Sequence, residues 1–140
     1  MQLHPSGGAS MKWLNFTIAA ICFAFAALQY NDPDPLIWAG MYGAIGVFAI
    51  LSGLGWRLHL GAIGLVGLCL FMIGQSVPGV YSYWTNKDGQ TISNAMSKEY
   101  PYIEETREFG GATLGLVFVA CSFFSARCCR AGKDQSIQGS

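Results

Sequence analysis

The sequence predicts an all-α, polytopic membrane protein: a bundle of four transmembrane helices with both termini in the cytoplasm. Charged residues make up only 11% of the 140 residues and apolar residues 52%, whereas a soluble domain averages about 25% charged residues. Four stretches, 13–29, 36–56, 58–85 and 109–126, contain no Asp, Glu, Lys or Arg. A bilayer core needs roughly 20 helical residues to cross it, so each stretch is a candidate span.

Each stretch should be helical because backbone polar groups in lipid have to be hydrogen-bonded within the segment. The third stretch is longer than a span requires, and Pro78-Gly79 is expected to end its helix. A single membrane domain, 12–127, is therefore predicted between two disordered tails, 1–11 and 128–140. Its predicted helices are about 13–29, 36–54, 58–77 and 109–126, with a long outer loop at 78–108.

Orientation follows from the distribution of basic residues, which concentrate on the cytoplasmic side of membrane proteins. With four spans, one side holds both tails and the turn near Arg57. The charged residues on that side are Lys12, Arg57, Arg127, Arg130, Lys133 and Asp134. The opposite side holds the remaining three basic residues and seven acidic residues, among them Asp32, Asp34, Glu104, Glu105 and Glu108. The basic side is expected to be cytoplasmic, in a bacterial inner membrane or a eukaryotic organelle or plasma membrane.

The N-terminus has a second interpretation. Lys12, the following apolar run and Ala24-Phe25-Ala26 resemble a secretory signal with its cleavage site. Cleavage after Ala26 would leave three spans, so the sequence leaves the processing of 1–26 open. The apolar run is longer than is typical of such a signal.

Glycines indicate how the helices pack, because helices in lipid associate through close backbone contact at small residues. The second span has Gly40, Gly43 and Gly46, and the third repeats this spacing at 61, 64 and 67. These two helices are expected to form a tight hairpin. The four tryptophans, at 13, 38, 56 and 84, lie near predicted span ends, as an interfacial aromatic belt requires.

The turn between the first two spans contains Asn31, Asp32 and Asp34, with two prolines that restrict the backbone. Asp34 is expected to be the N-cap of the second helix. A later acidic segment contains Glu104, Glu105, Arg107 and Glu108 and leads into the fourth span. In a four-span topology both segments lie on the same side. They are predicted to form one polar cluster of Asn31, Asp32, Asp34, Glu104, Glu105, Arg107 and Glu108.

These two motifs resemble a known family. The Tyr-Asn-Asp-Pro-Asp-Pro turn with its following Trp38 and Tyr42, and the Glu-Glu-x-Arg-Glu-Phe-Gly-Gly approach to the last helix, are similar to the transmembrane protein 220 family. The resemblance covers about 12–127. It implies a small four-helix membrane protein, and it implies no particular enzymatic activity. The region 81–101 is less similar to the family pattern.

The sequence points most directly to an accessory or scaffolding subunit, or an assembly factor, that binds a larger membrane complex. It contains no CxxC, HExxH or phosphate-binding glycine motif, so neither catalysis nor a cofactor is expected. Its net charge of zero gives no indication of nucleic-acid binding. The sequence also permits a homo-oligomer. Aromatic residues of the types enriched at interfaces are the candidate partner contacts. These are Trp38, Tyr42, Tyr81, Tyr83 and Trp84.

Two alternatives remain open. The acidic cluster could bind a cation such as Ca²⁺, which prefers several oxygen ligands, and the protein would then be a membrane sensor or transport component. The protein could instead be a membrane enzyme that acts on a lipid or quinone. Two acidic residues whose pKa values were moved apart by burial would then serve as its acid and base. No specific metal ligand set is assigned from the sequence.

Overall fold

Four long apolar helices make up the structure, which is a computed structural model. It describes the backbone of residues 7–85 and 100–138 and the side chains of residues 9–85 and 100–128. The helices are α1 (Gly7–Leu28), α2 (Pro35–Gly53), α3 (His59–Thr85) and α4 (Pro101–Gln138). A short 3₁₀ turn, Gln29–Asn31, follows α1.

Each helix contains a segment long and apolar enough to cross a membrane. The candidate spans are Ala9–Asn31, Pro35–Gly53, His59–Thr85 and Pro101–Cys128. Many of their large apolar side chains point outward, such as Leu60 at 86% exposure and Phe71 at 61%. In water such a surface would be unfavourable, whereas in a bilayer it faces hydrocarbon chains. The prediction of an all-helical, multi-pass membrane protein is confirmed.

The predicted end of the third helix at Val77 is wrong, because α3 continues through Pro78 to Thr85. Proline removes one backbone donor, but membrane helices tolerate it where nearby groups satisfy the freed carbonyl. The 27 residues of α3 extend over about 40 Å at 1.5 Å per residue, and the hydrocarbon core is about 30 Å thick. Twenty residues counted from His59 reach Pro78, so the last turns of α3 exceed the length that a perpendicular crossing requires.

The predicted outer loop at 78–108 is also wrong at its second end. Helix α4 begins at Pro101 rather than near Phe109. Proline suits the first helical position, where no backbone donor is needed, and Glu104 in the first turn suits the positive end of the helix dipole. The acidic residues excluded this segment from the predicted span, but outside the hydrocarbon core they do not prevent helix formation.

Both tails were predicted to be disordered, and both predictions are wrong where the structure describes the tails. Helix α1 begins at Gly7, and the backbone of α4 is helical to Gln138. Residues 1–6 lie outside the described residues. A span ends where apolar side chains end, but a helix continues through polar residues until a strong breaker such as proline stops it.

The chain divides into two compact units, Met1–Leu65 with Val117–Ser140, and Val66–Leu116. The first unit thus contains α1, α2, the first residues of α3 and the latter part of α4. The second contains the remainder of α3 and the first half of α4. The predicted single domain at 12–127 is therefore divided between two compact units.

The first unit is held together where α2 meets α1. A Cβ at Gly53 would lie 3.1 Å from the Cβ of Asn15, and one at Gly46 would lie 3.1 Å from the ring of Phe23. Among the described residues, no atom comes within 4 Å of a Cβ built at Gly40 or Gly43. The closest glycine contacts of α2 are therefore with α1. Between the second and third helices, a Cβ at Gly61 would lie 3.7 Å from the ring of Phe48, so the predicted glycine contact of this hairpin is present at Gly61 and absent at Gly40 and Gly43 among the described residues.

A buried hydrogen bond also connects α1 to α4 within the first unit. The side-chain amide of Asn15 donates to the hydroxyl of Ser125 at 2.6 Å and to the carbonyl of Met11 at 3.2 Å. Asn15 is fully buried and Ser125 is 3% exposed. Polar side chains inside a membrane protein serve as interhelical contacts worth on average about 0.6 kcal/mol.

The turn after α2 depends on a glycine. Gly55 has φ +90°, a conformation that costs glycine little and other residues more. The amide of Gly55 donates to the carbonyl of Ser52, and that of Trp56 donates to the carbonyl of Leu51. These bonds satisfy the last carbonyls of α2, and they place Arg57 and His59 immediately beyond the helix.

Gly53→Val should lower the free energy of unfolding by about 1–3 kcal/mol, because the larger side chain overlaps the Cβ of Asn15, which cannot move without shifting α1. Gly43→Val is the matched control on the same helix and should change stability by less than about 0.5 kcal/mol. Both are measured by detergent-induced unfolding followed by circular dichroism. Equal effects of the two substitutions would contradict the packing of α2 on α1.

Candidate functional site

The predicted polar cluster is divided between the two units. Asn31, Asp32 and Asp34 lie in the first unit. Glu104, Glu105, Arg107 and Glu108 lie in the second. Within each unit, the residues of one set lie close together along the chain.

The turn between α1 and α2 is ordered by backbone hydrogen bonds. The amide of Asp32 donates to the carbonyl of Gln29 at 3.0 Å, and the amides of Ile37 and Trp38 donate to the carbonyl of Asp34 at 3.2 and 3.4 Å. Asp34 occupies the predicted N-cap position, with Pro35 opening the helix, but its side chain makes no capping hydrogen bond. Asp34 thus acts through its backbone, and its carboxylate is exposed.

Asp32 differs from its neighbours in the turn. Asn31 and Asp34 are exposed, whereas Asp32 is half-buried. Its Oδ1 atom is shielded from solvent and accepts no hydrogen bond from any of the described residues. A buried carboxylate oxygen without a donor is unfavourable unless a cation, water or other donor reaches it. Asp32 is therefore the residue of this turn with an unsatisfied chemical requirement.

Trp38 and Tyr42 are core residues of the first unit, with 3% and 4% of their surface exposed. The Tyr42 ring lies 5.5 Å from that of Phe25 in an edge arrangement and 6.2 Å from that of Trp38. Such pairs contribute to stability beyond the area that they bury. The prediction that Trp38 and Tyr42 contact a partner is contradicted by their burial. Trp38 lies near the start of its span, as predicted, but its ring packs inside the unit.

In the second unit, α3 and α4 approach closely at Gly79 and Glu105. A Cβ at Gly79 would overlap both the Cβ and the carboxylate of Glu105. Glu105 is half-buried and Gly79 is buried. Sequence reasoning missed this role of Gly79 because it treated Pro78-Gly79 as a helix end. The sequence contained one indication of this role, a small residue within a span. That indication does not identify the residue that Gly79 contacts.

The other charged residues at the start of α4 differ in exposure. Glu104 and Glu108 are half-buried, and Arg107 is exposed. Ile103 is 1% exposed and anchors this turn in the second unit. Since residues four positions apart share a helix face, Glu104 and Glu108 line one side of α4.

Aromatic side chains surround this first part of α4. The Tyr102 ring lies 6.4 Å from that of Tyr83 and 6.0 Å from that of Tyr100. Tyr83 is half-buried by this packing, whereas Tyr81 and Trp84 are 71% and 76% exposed. Of the five predicted partner contacts, Tyr81 and Trp84 are thus the two that present most of their surface outward.

These arrangements define a class of protein: a multi-pass membrane protein whose described Asp, Glu, Lys and Arg residues lie near or beyond the ends of its four candidate spans. Residues 21–124 match the family described as Transmembrane family 220, helix, and the chain belongs to that family. The match confirms the resemblance found in the two acidic motifs. No curated protein and no solved structure matches the chain.

Gly79→Ala should destabilise the second unit by about 1–3 kcal/mol, because the new methyl group overlaps Glu105. The control is Gly74→Ala, on the same helix, where no described atom lies within 4 Å of the added Cβ. That control should be neutral or stabilising, since alanine favours helix by about 1 kcal/mol over glycine.

A second substitution makes this test specific. Glu105→Gly removes the overlapping side chain, so Gly79→Ala should cost little further stability in a Glu105→Gly background, as measured by detergent-induced unfolding of the single and double variants. Independent, additive losses in the double variant would show that the two residues do not touch.

Proposed function

We propose that this protein is an accessory or scaffolding subunit, or an assembly factor, that binds a larger membrane protein complex and performs no catalysis itself. The observation that carries this proposal is the exposure of Tyr81 and Trp84 near the end of α3. They are three residues apart on one helix, so they share a face. Aromatic residues are enriched at the energetically important positions of protein interfaces.

The position of these residues supports protein contact. Tyr81 and Trp84 lie beyond Pro78, in the turns of α3 that are not needed to cross the hydrocarbon core. Nearby, Tyr83 packs against Tyr102 at 6.4 Å, so the backbone that carries the exposed rings is fixed in the second unit. A preorganised aromatic pair loses little conformational entropy when it binds a partner.

The proposed orientation follows the positive-inside rule. Lys12, Arg57 and Arg127 lie on the side predicted to be cytoplasmic, and Asp32 and Asp34 on the opposite side. In this orientation Tyr81 and Trp84 face the periplasm, lumen or exterior. The proposed partner then contacts the protein from that side.

A photoreactive phenylalanine at position 84 or 81 should cross-link to a discrete protein partner in the native membrane. The control position is 13, because Trp13 is equally exposed at 72% but lies at the opposite end of the spans. Protein cross-links at 84 and 81 but not at 13 would support the proposal. Only lipid adducts at all three positions would contradict it.

Side-chain truncation provides a quantitative check. Trp84→Ala should weaken association with the cross-linked partner by about fivefold or more, the effect of losing about 1 kcal/mol at an interface residue. Trp13→Ala should leave association unchanged. Recovery is measured by quantitative mass spectrometry after extraction in mild detergent.

Asp32 supports a second candidate function, a cation-binding sensor or transport component. Its Oδ1 atom is buried and accepts no hydrogen bond from the described residues, and a bound Ca²⁺ would satisfy it. Calorimetric titration of the purified protein with Ca²⁺ should release or absorb heat. Asp32→Asn should weaken that binding by at least about tenfold, because it removes the charged ligand.

Asp34→Asn is the matched control for this titration, because Asp34 lies two residues away and its carboxylate is exposed. It should retain Ca²⁺ binding. Absence of heat with Ca²⁺, Mg²⁺ and Zn²⁺ in the unaltered protein would exclude this candidate, as would an equal loss in both variants.

A further inference from the structure

A shallow open pocket lies at the basic end of the first unit, where the turn after α2 meets the latter part of α4. Its free space of about 230 Å³ includes open solvent at the mouth, and its enclosed part has room for about one water molecule. Ser52 and Phe123 line the pocket, together with a basic rim defined by Arg57, His59 and Arg127. Neither the acidic motifs nor the exposed aromatic pair on α3 contributes to this pocket.

The two arginines that line the pocket come from different elements. Arg57 follows the turn after α2, and Arg127 lies on α4. Both are exposed, and neither forms an ion pair within the described part of the chain. Two guanidinium groups beside one cavity, without an ion-pair partner among the described residues, favour the binding of an anion.

Arg127 is held in position by aromatic contact. Its Cζ atom lies 5.0 Å from the centroid of the Phe123 ring, within the range of a cation–π interaction. The His59 ring packs on the same phenylalanine in an edge arrangement, with centroids 5.5 Å apart. Phe123 therefore positions two of the three basic rim residues before any ligand arrives.

The residues around the pocket are typical of the membrane depth at which lipid headgroups lie. Trp56 lines the pocket and is 60% exposed, and tryptophan concentrates at the membrane–water interface. Leu60 and Phe124, each adjacent in sequence to a pocket residue, are 86% and 61% exposed. An anion in the pocket would thus lie near guanidinium groups, which can bind phosphate, and near exposed apolar side chains, which can contact acyl chains.

We propose that this pocket binds the phosphate group of an anionic phospholipid, with its acyl chains along Leu60 and Phe124. Guanidinium groups pair with phosphate oxygens through two parallel hydrogen bonds. Basic pockets between transmembrane helices are a known mode of binding anionic headgroups. The shared chemistry is the phosphate group, and the exposed apolar residues favour a lipid over free phosphate as its source.

Native mass spectrometry of the full chain in neutral detergent tests this proposal. Delipidated protein is titrated with phosphatidylglycerol or with phosphatidylcholine of the same acyl chains. One phosphatidylglycerol should be retained at lipid concentrations about tenfold lower than phosphatidylcholine requires. Equal retention of the two lipids would overturn the proposal.

Charge-removing variants locate the site. Arg57→Gln and Arg127→Gln should each weaken phosphatidylglycerol binding by about tenfold, the loss expected for one charged hydrogen-bonding partner. Lys12→Gln is the control, because it removes a positive charge near the same end without altering a pocket residue. An equal loss in Lys12→Gln would show a general surface charge effect and overturn the proposal.

Two further measurements test whether a pocket variant remains folded and whether the ligand is a lipid. Phe123→Leu keeps both arginines but removes the ring beneath Arg127, and should weaken binding several-fold while leaving the circular dichroism spectrum unchanged. Inorganic phosphate at millimolar concentration should not displace the lipid. Displacement at that concentration would overturn the assignment of a lipid as the occupant.

Discussion

The structure depends on one constraint: every backbone polar group that lies in hydrocarbon has to be hydrogen-bonded inside the protein. Four helices meet that constraint, and the side chains then decide how the helices associate. In the first unit, association relies on close approach at Gly53 and on the buried hydrogen bond from Asn15 to Ser125. Both join α1 to other helices, so α1 is the central element of this unit.

The same constraint separates apolar and polar chemistry along the helices. The middle parts of the spans present apolar side chains outward, as Phe71 does on α3. The described Asp, Glu, Lys and Arg residues lie near or beyond the ends, where headgroups and water can solvate them. Any recognition of ions, phosphate or soluble protein domains is thus confined to the ends, and the turn with Asp32 and the pocket beside Arg57 are at opposite ends of the first unit.

The number and class of the helices could be predicted from the sequence, because missing charge over 17 or more residues is a direct requirement of the bilayer. Helix ends could not, since Pro78 and the acidic residues after Pro101 interrupt an apolar pattern without interrupting a helix. The sequence was sufficient to locate the motif around Asp32. It was not sufficient to show which side chains of that motif are exposed and which are buried. Trp38 and Tyr42 look the same as Trp84 in the sequence, and only the packing of α1 on α2 shows that they are core residues. The glycine spacing likewise predicted close helix contacts, but it did not show that Gly46 and Gly53 of α2 contact α1, because small residues do not specify what they meet.

The most direct test of this account is the side of the membrane on which each helix end lies. Single cysteines at positions 34, 57, 107 and 133, in a background without the five native cysteines, are labelled in sealed vesicles with a reagent that cannot cross the bilayer. Positions 57 and 133 should react from the cytoplasmic side only, and positions 34 and 107 from the other side only. Labelling of positions 34 and 107 from different sides would contradict the four-span arrangement.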